Sequence, residues 1–205
     1  MNLPNTLTMS RLGLAGLMMA LLSIQKPYFY SAALLVFVIG GITDFLDGYI
    51  ARKHRLVSAF GRLMDPLTDK VMVCAAFVSF VEIQIQRGSQ SISLVPAWIV
   101  VVIISREFLV TGLRLLAATR GNIIAAGKWG KHKTVWQIVA IVALLLGLAV
   151  RYDLLRHEDA KFLANYDLAF SYIAQGMAMG VAVITVTSGL LYFLQHRELI
   201  SGGRP

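Results

Sequence analysis

Six long apolar stretches, separated by short polar or basic connections, dominate the pattern along the chain. They run approximately from Asn5 to Ile24, Ser31 to Arg52, Pro66 to Ile85, Leu94 to Ala118, Thr134 to Val150 and Leu168 to Gln195. A helix of about 20 mostly apolar residues crosses the hydrocarbon of a bilayer. Hydrocarbon offers backbone N–H and C=O groups no partner but each other, and the alternation of a barrel strand is not evident in these stretches. The pattern therefore predicts an all-α integral membrane protein, a bundle of six transmembrane helices with an interfacial N-terminal segment in which Asn5 is the expected helix N-cap. Arg11 followed by an apolar run resembles a secretory signal, but Pro4, the polar opening and the lack of a small-x-small cleavage site favour a span. Residues 1–200 are expected to form a single membrane domain and 201–205 a disordered tail.

Composition agrees with that reading. Of the 205 residues, 57% are hydrophobic and only 15% charged, with a mean hydropathy of +0.69, which excludes an ordinary soluble domain. The formal net charge is +8. A basic chain suggests nucleic acid or anionic lipid, and because the basic residues flank spans the expected partners are anionic membrane lipids, with no nucleic acid. Arg11, Arg52, Lys53, Arg55, Arg62, Arg120, Lys128, Lys131, Lys133, Arg197 and Arg204 collect on one side. The other side has Lys26, Arg87, Arg151, Arg156 and Lys161, with Asp153, Glu158, Asp159 and Asp167 in its longest loop. The excess of Lys and Arg places both termini in the cytoplasm. Cys74, the single cysteine, excludes an intrachain disulfide and reads as apolar filler.

Ionised groups inside spans are costly and mark function by default. The second stretch carries Asp44 and Asp47, spaced i, i+3, and the third carries Asp65 and Asp69, spaced i, i+4, so each pair lies on one helix face. If the faces meet, four carboxylates converge, and their mutual repulsion calls for a cation. The donors are hard oxygens without Cys or His, which points to Mg²⁺ or Mn²⁺. His54, His132, His157 and His196 fall in loops or at helix ends and read as surface or interface groups. Small residues beside the acids, Gly48 and Ala51, leave the backbone open to a ligand.

Residues 44–69 spell D-F-L-D-G-Y-I-A-R, eight residues, then G-R-L-M-D-P-L-T-D. This resembles the signature of the CDP-alcohol phosphotransferase family, D-x2-D-G-x2-A-R-x8-G-x3-D-x3-D, matched at Asp44, Asp47, Gly48, Ala51, Arg52, Gly61, Asp65 and Asp69. The resemblance implies a six-helix membrane enzyme, often a homodimer, that cleaves a CDP-linked donor, releases CMP and joins the remaining phosphoryl group to an alcohol. It also implies that Asp44, Asp47, Asp65 and Asp69 hold two metal ions over the donor pyrophosphate and that Asp69 doubles as general base. Asp44, Asp47, Gly48, Ala51, Arg52, Gly61 and Asp65 would form the CDP site.

The fourth stretch contains S-R-E-F-L-V-T-G-L-R and the fifth opens near G-K-H-K-T. Arg106 and Glu107 are adjacent and are not expected to share a face; for Glu107 a structural ion pair is as good a reading as a functional one. Arg114 lies at the expected depth of the aspartates. With Arg106, Lys131 and Lys133 it suggests a site for a second anion, a phosphate on the acceptor, although lysines there also suit plain membrane anchors. Lys70, next to Asp69, could contact phosphate or cap its helix. These segments and the opening N-L-P-N-T-L-T-M-S-R are similar to those of family members that use CDP-diacylglycerol as donor and glycerol 3-phosphate as acceptor, which implies a bacterial inner (plasma) membrane enzyme with a cytoplasmic site making phosphatidylglycerol phosphate. Members that make cardiolipin, phosphatidylserine or phosphatidylinositol phosphate would keep the aspartates and change the acceptor pocket. A small ion or metal transporter would also place charges inside spans, but near the midplane and often in two related halves, whereas these acids sit toward one end of one half. Gly176 and Gly180 form a small-xxx-small pair suited to a close helix contact, first with a neighbouring helix of the same chain and second with another copy.

Overall fold

A computed structural model describes residues 3–54, 59–119 and 128–195, with side chains described except at 3–8, 44–54, 59–69, 119, 128, 129 and 131. Six α-helices make up most of the described residues: α1 Leu3–Ile24, α2 Phe29–His54, α3 Ala59–Glu82, α4 Ala97–Thr119, α5 Lys128–Ala149 and α6 Ala160–Gln195. Two segments, His132–Leu154 and Ala160–Gln195, are long and apolar enough to cross a membrane among the described residues. Many large apolar side chains face outward, among them Leu35, Val101, Phe108, Ile173 and Leu190. Such a surface is a liability in water and ordinary in a bilayer.

Helix α1 runs unbroken from Leu3, so Asn5 lies within it instead of capping it, and the expected interfacial segment is its opening turns. Pro4 is tolerated there because the first N–H groups of a helix have no intrahelical partner. The core lies where α3 packs between α1, α4 and α5, with α6 closing the side against α4 and α5. Met18, Leu22, Phe77, Phe80, Ile103, Leu144 and Ala178 are fully enclosed. Phe77 and Phe80 meet edge to face with centroids 6.2 Å apart, a favoured aromatic geometry. Between α5 and α6, Gly147 admits the Phe170 ring: a Cβ at Gly147 would stand 2.1 Å from its Cε2.

The expectation of an all-α chain is corrected at Gln84–Ser93. Helix α3 stops at Glu82, and β1 (Gln84–Arg87) pairs antiparallel with β2 (Gln90–Ser93), Ile85 opposite Ile92. Gly88, at φ +63°, opens the two-residue turn, where hairpins of this kind need a positive φ. Gln175 Nε2 donates to the Ser93 carbonyl at 3.1 Å, and the Arg87 guanidinium lies 4.2 Å from the Tyr172 ring centroid, so the hairpin is tied to α6. The N–H of Val95 donates to the Phe80 carbonyl at 3.3 Å, satisfying one of the last α3 acceptors. Helix α4 therefore starts at Ala97, after Pro96, and not at Leu94.

Other boundaries shift as well. Helix α5 begins at Lys128, six residues before the expected Thr134, and α6 begins at Ala160, eight before Leu168. Asp167 thus belongs to a helix instead of a loop. Its carboxylate takes a two-pronged ion pair from Arg151, Nε to Oδ1 at 2.5 Å and a terminal nitrogen to Oδ2 at 2.8 Å. Gly176 and Gly180 do not pack against a neighbouring helix of the chain, since an added Cβ at either meets nothing within 4 Å.

After α5 the helix widens into a π turn, Val150–Leu154, which aims Asp153 inward. Its carboxylate accepts from the Tyr28 N–H at 2.7 Å, the Ser31 N–H at 3.0 Å and the Ser31 hydroxyl at 2.5 Å. Asp153 is thereby the N-terminal cap of α2, supplied from more than a hundred residues away. The same contact holds Tyr28 at a left-handed φ of +69°, which a non-glycine residue adopts at a cost of about 1–2 kcal/mol. Replacing Asp153 with alanine strips the cap and is expected to lower stability by about 2–4 kcal/mol. Unfolding by denaturant in detergent micelles checks this; an unchanged midpoint rejects the cap as a stabilising feature.

Candidate active site

Asp44, Asp47, Gly48, Ala51 and Arg52 lie on the C-terminal part of α2, and Gly61, Asp65 and Asp69 on the N-terminal half of α3. Their side chains lie outside the described residues, as does that of Lys131, so the convergence of the four acids is not part of the described geometry. The backbone does place both acidic segments at the same end of the bundle, because only residues 55–58 separate α2 from α3 and the two helices touch. As a donor set the four carboxylates fit a hard divalent cation, offering only oxygen. Among the described residues no group of three or more His, Cys, Asp or Glu could hold a metal.

The described part of the site starts one residue further along. Lys70 follows Asp69 on α3 and reaches across to α4, where its Nζ lies 2.8 Å from Glu107 Oε2. Lys133, in the second turn of α5, pairs with the other oxygen of the same carboxylate, Oε1. Arg106 also reaches Glu107 Oε1, at 3.6 Å. Adjacent residues on a helix point about 100° apart and do not share a face, yet the long guanidinium arm folds back to bring the two within ion-pair distance, while Glu107 pairs with two other helices. Glu107 is 3% exposed and Lys133 2%, so their pair is buried, whereas Lys70 is only half-buried.

Beside it lies a cavity of about 370 Å³, within the size range of small-molecule sites. Lys70, Arg106, Glu107, Arg114 and Lys133 all line it, together with Thr111. Among the described residues, four cations face one carboxylate there. Like charges at such spacing repel, and the excess positive charge is relieved by an anion. Helix α6 supports the arginines from behind: a Cβ on Gly189 would come within 3.1 Å of Arg106 Cγ, and the Arg114 guanidinium stands 5.4 Å from the Tyr192 ring centroid. The Nε atoms of Arg106 and Arg114 are buried with no hydrogen-bond partner among the described residues. Buried donors left unpaired are costly, and groups of this kind gain most from an arriving acceptor.

The structure therefore brings together Arg106, Arg114 and Lys133 with Lys70 and Glu107, both singled out in the sequence, and adds the α6 residues Gly189 and Tyr192. Nothing in a linear reading of α6 marks Tyr192, an aromatic in an apolar run. The sequence offers Lys70 as a phosphate contact or a helix cap; its pairing with Glu107, 37 positions away, has no signal in the chain.

Comparison with known proteins identifies relatives along most of the chain. The model of the CDP-alcohol phosphatidyltransferase family matches residues 1–188. A Bacillus subtilis (strain 168) protein named CDP-diacylglycerol–glycerol-3-phosphate 3-phosphatidyltransferase is 38% identical over 212 residues, covering 97% of each chain. A protein of the same name from Cereibacter sphaeroides is 35% identical over 182 residues, 88% of this chain and 76% of the relative. A CMP-forming cardiolipin synthase of Oryza sativa subsp. japonica is 33% identical over 192 residues, 90% of this chain but 56% of the relative. With a match that begins at the first residue and runs through most of α6, the chain belongs to the CDP-alcohol phosphatidyltransferase family.

Proposed function

We propose that this protein is the enzyme that transfers the phosphatidyl group of CDP-diacylglycerol to glycerol 3-phosphate, giving phosphatidylglycerol phosphate and CMP. Two bacterial relatives named for that reaction support it, one of them similar along nearly its whole length. The observation that carries the acceptor assignment is the cationic cavity. An acceptor bearing its own phosphate dianion matches a wall formed by Lys70, Arg106, Arg114 and Lys133, whereas serine, with no phosphate, does not.

In this reading the 1-hydroxyl of glycerol 3-phosphate attacks the β-phosphorus of the donor. The new P–O bond forms as the bond to CMP breaks, and the hydroxyl proton passes to Asp69, the general base. Arg106, Arg114 and Lys133, with Lys131 following the same helix, hold the acceptor phosphate. Asp44, Asp47, Asp65 and Asp69 would hold two divalent cations, Mg²⁺ or Mn²⁺, which when bound neutralise charge on the donor pyrophosphate. Gly48, Ala51, Arg52 and Gly61 complete the CDP site with Asp44, Asp47 and Asp65. Bilayer anchoring keeps the acyl chains in the membrane while the water-soluble acceptor enters from the cytoplasm. In that arrangement both termini are cytoplasmic, six helices span a bacterial plasma membrane rich in anionic lipid, and the enzyme is a homodimer.

The test is an acceptor panel. Purified protein is supplied with CDP-diacylglycerol, Mg²⁺ or Mn²⁺, and in turn glycerol 3-phosphate, phosphatidylglycerol, serine and inositol phosphate, and CMP is measured. Glycerol 3-phosphate is expected to be the best acceptor, and any other in that place overturns the assignment. Chelation is expected to abolish CMP release and either cation to restore it; turnover that survives a chelator rejects the metal assignment.

A further inference from the structure

The acceptor reading uses cations and leaves Glu107 without a task, although it is the most interconnected charge in the described molecule. One carboxylate joins three helices: Oε2 takes Lys70 of α3, and Oε1 takes Lys133 of α5 while Arg106 of α4 stands 3.6 Å away. These are the same cations that line the cavity. A negative charge in a pocket for a dianion weakens binding by charge alone, so a carboxylate there has to contribute in another way.

We propose that Glu107 is a positioning residue for the acceptor phosphate, rigidly presenting the Lys70 and Lys133 ammonium groups and the Arg106 guanidinium to it. This rests on the assignment of the cavity to that phosphate. A lysine ammonium carries three donors, and for Lys133 one spent on Glu107 leaves two directed elsewhere. Lysine stems are flexible, and ordering them at the moment of binding opposes affinity; a buried anchor removes that loss in advance. Arg106 and Arg114 line the same cavity and add their guanidinium groups to that wall. Because Lys70 directly follows Asp69, the anchor also fixes the phosphate end of the acceptor relative to the helix that bears the proposed base.

The sign of one measurement decides between positioning and simple charge balance. Glu107→Gln removes a negative charge at nearly constant shape. Charge balance predicts a lower KM for glycerol 3-phosphate; positioning predicts a KM about tenfold higher or more, with the KM for CDP-diacylglycerol unchanged. Glu107→Asp keeps the charge but shortens the arm, so it cannot span Lys70 and Lys133 together. It is expected to raise the same KM by about threefold or more, and it carries the test if the glutamine variant does not fold. A KM at or below that of the unsubstituted enzyme in the folded variants overturns the inference. Arg114→Met, measured in parallel, separates the two levels: if it also leaves the acceptor KM unchanged, the phosphate assignment itself fails; if it raises that KM while the Glu107 variants do not, only the positioning role falls.

Discussion

Replacing Asp69 with asparagine is expected to reduce CMP release by about 10³-fold or more while CDP-diacylglycerol binding stays within a few-fold of that of the unsubstituted enzyme. General-base catalysis contributes about 10²–10⁴-fold, and an amide cannot accept the acceptor's proton. Asp44 is the control. As a proposed metal and donor ligand with no base role, Asp44→Asn is expected to lose donor binding together with turnover. The measurements are single-turnover CMP release and equilibrium binding of a CDP-diacylglycerol analogue. If Asp69→Asn loses binding to the same degree as Asp44→Asn, Asp69 is a ligand only and the separate base role is rejected. Coordination lowers the basicity of a carboxylate, so the two duties compete, and this experiment measures which prevails.

The second large effect belongs to Lys133. Its ammonium is buried against Glu107 at the cavity wall, in the second turn of α5. Lys133→Met keeps the stem and deletes the charge. The KM for glycerol 3-phosphate is expected to rise about 10- to 100-fold, the range for losing one hydrogen bond to a charged group. The KM for CDP-diacylglycerol is expected to stay put. Partial loss of folding stability accompanies this, because Glu107 keeps Lys70 and Arg106 but loses its most buried partner. An unchanged acceptor KM in a folded protein reduces Lys133 to a structural role.

The apolar stretches were legible because hydrocarbon imposes a length and a composition on whatever crosses it, and six helices stand where six were expected. Their ends were less legible, for physical reasons specific to each. Lys161, Asn165 and Asp167 make the start of α6 look like a loop, but Asp167 is neutralised by Arg151 inside the fold, and a paired charge no longer forbids a helix. The hairpin carried its own pattern, I-Q-I-Q then S-I-S around Gly88, submerged between two apolar runs long enough to absorb its edges. In the site, the spacing of the aspartates is a one-dimensional signal and could be read from the chain, as could the density of arginine and lysine near α4 and α5. What joins them could not. Glu107 draws its partners from three helices, Tyr192 approaches Arg114 from a fourth, and Asp153 finds Ser31 across 122 positions, relations that exist only once the helices are assembled.

The Asp153 cap also bears on the order in which the protein is made. A ribosome delivers α2 and its pair of acids long before it delivers residue 153, so during synthesis the leading N–H groups of α2 and the left-handed Tyr28 wait for their cap. Only when α5 has followed can the carboxylate close on that end and cap the helix that carries Asp44 and Asp47. A nascent chain that has completed only its first four helices therefore lacks the latch on its acidic helix.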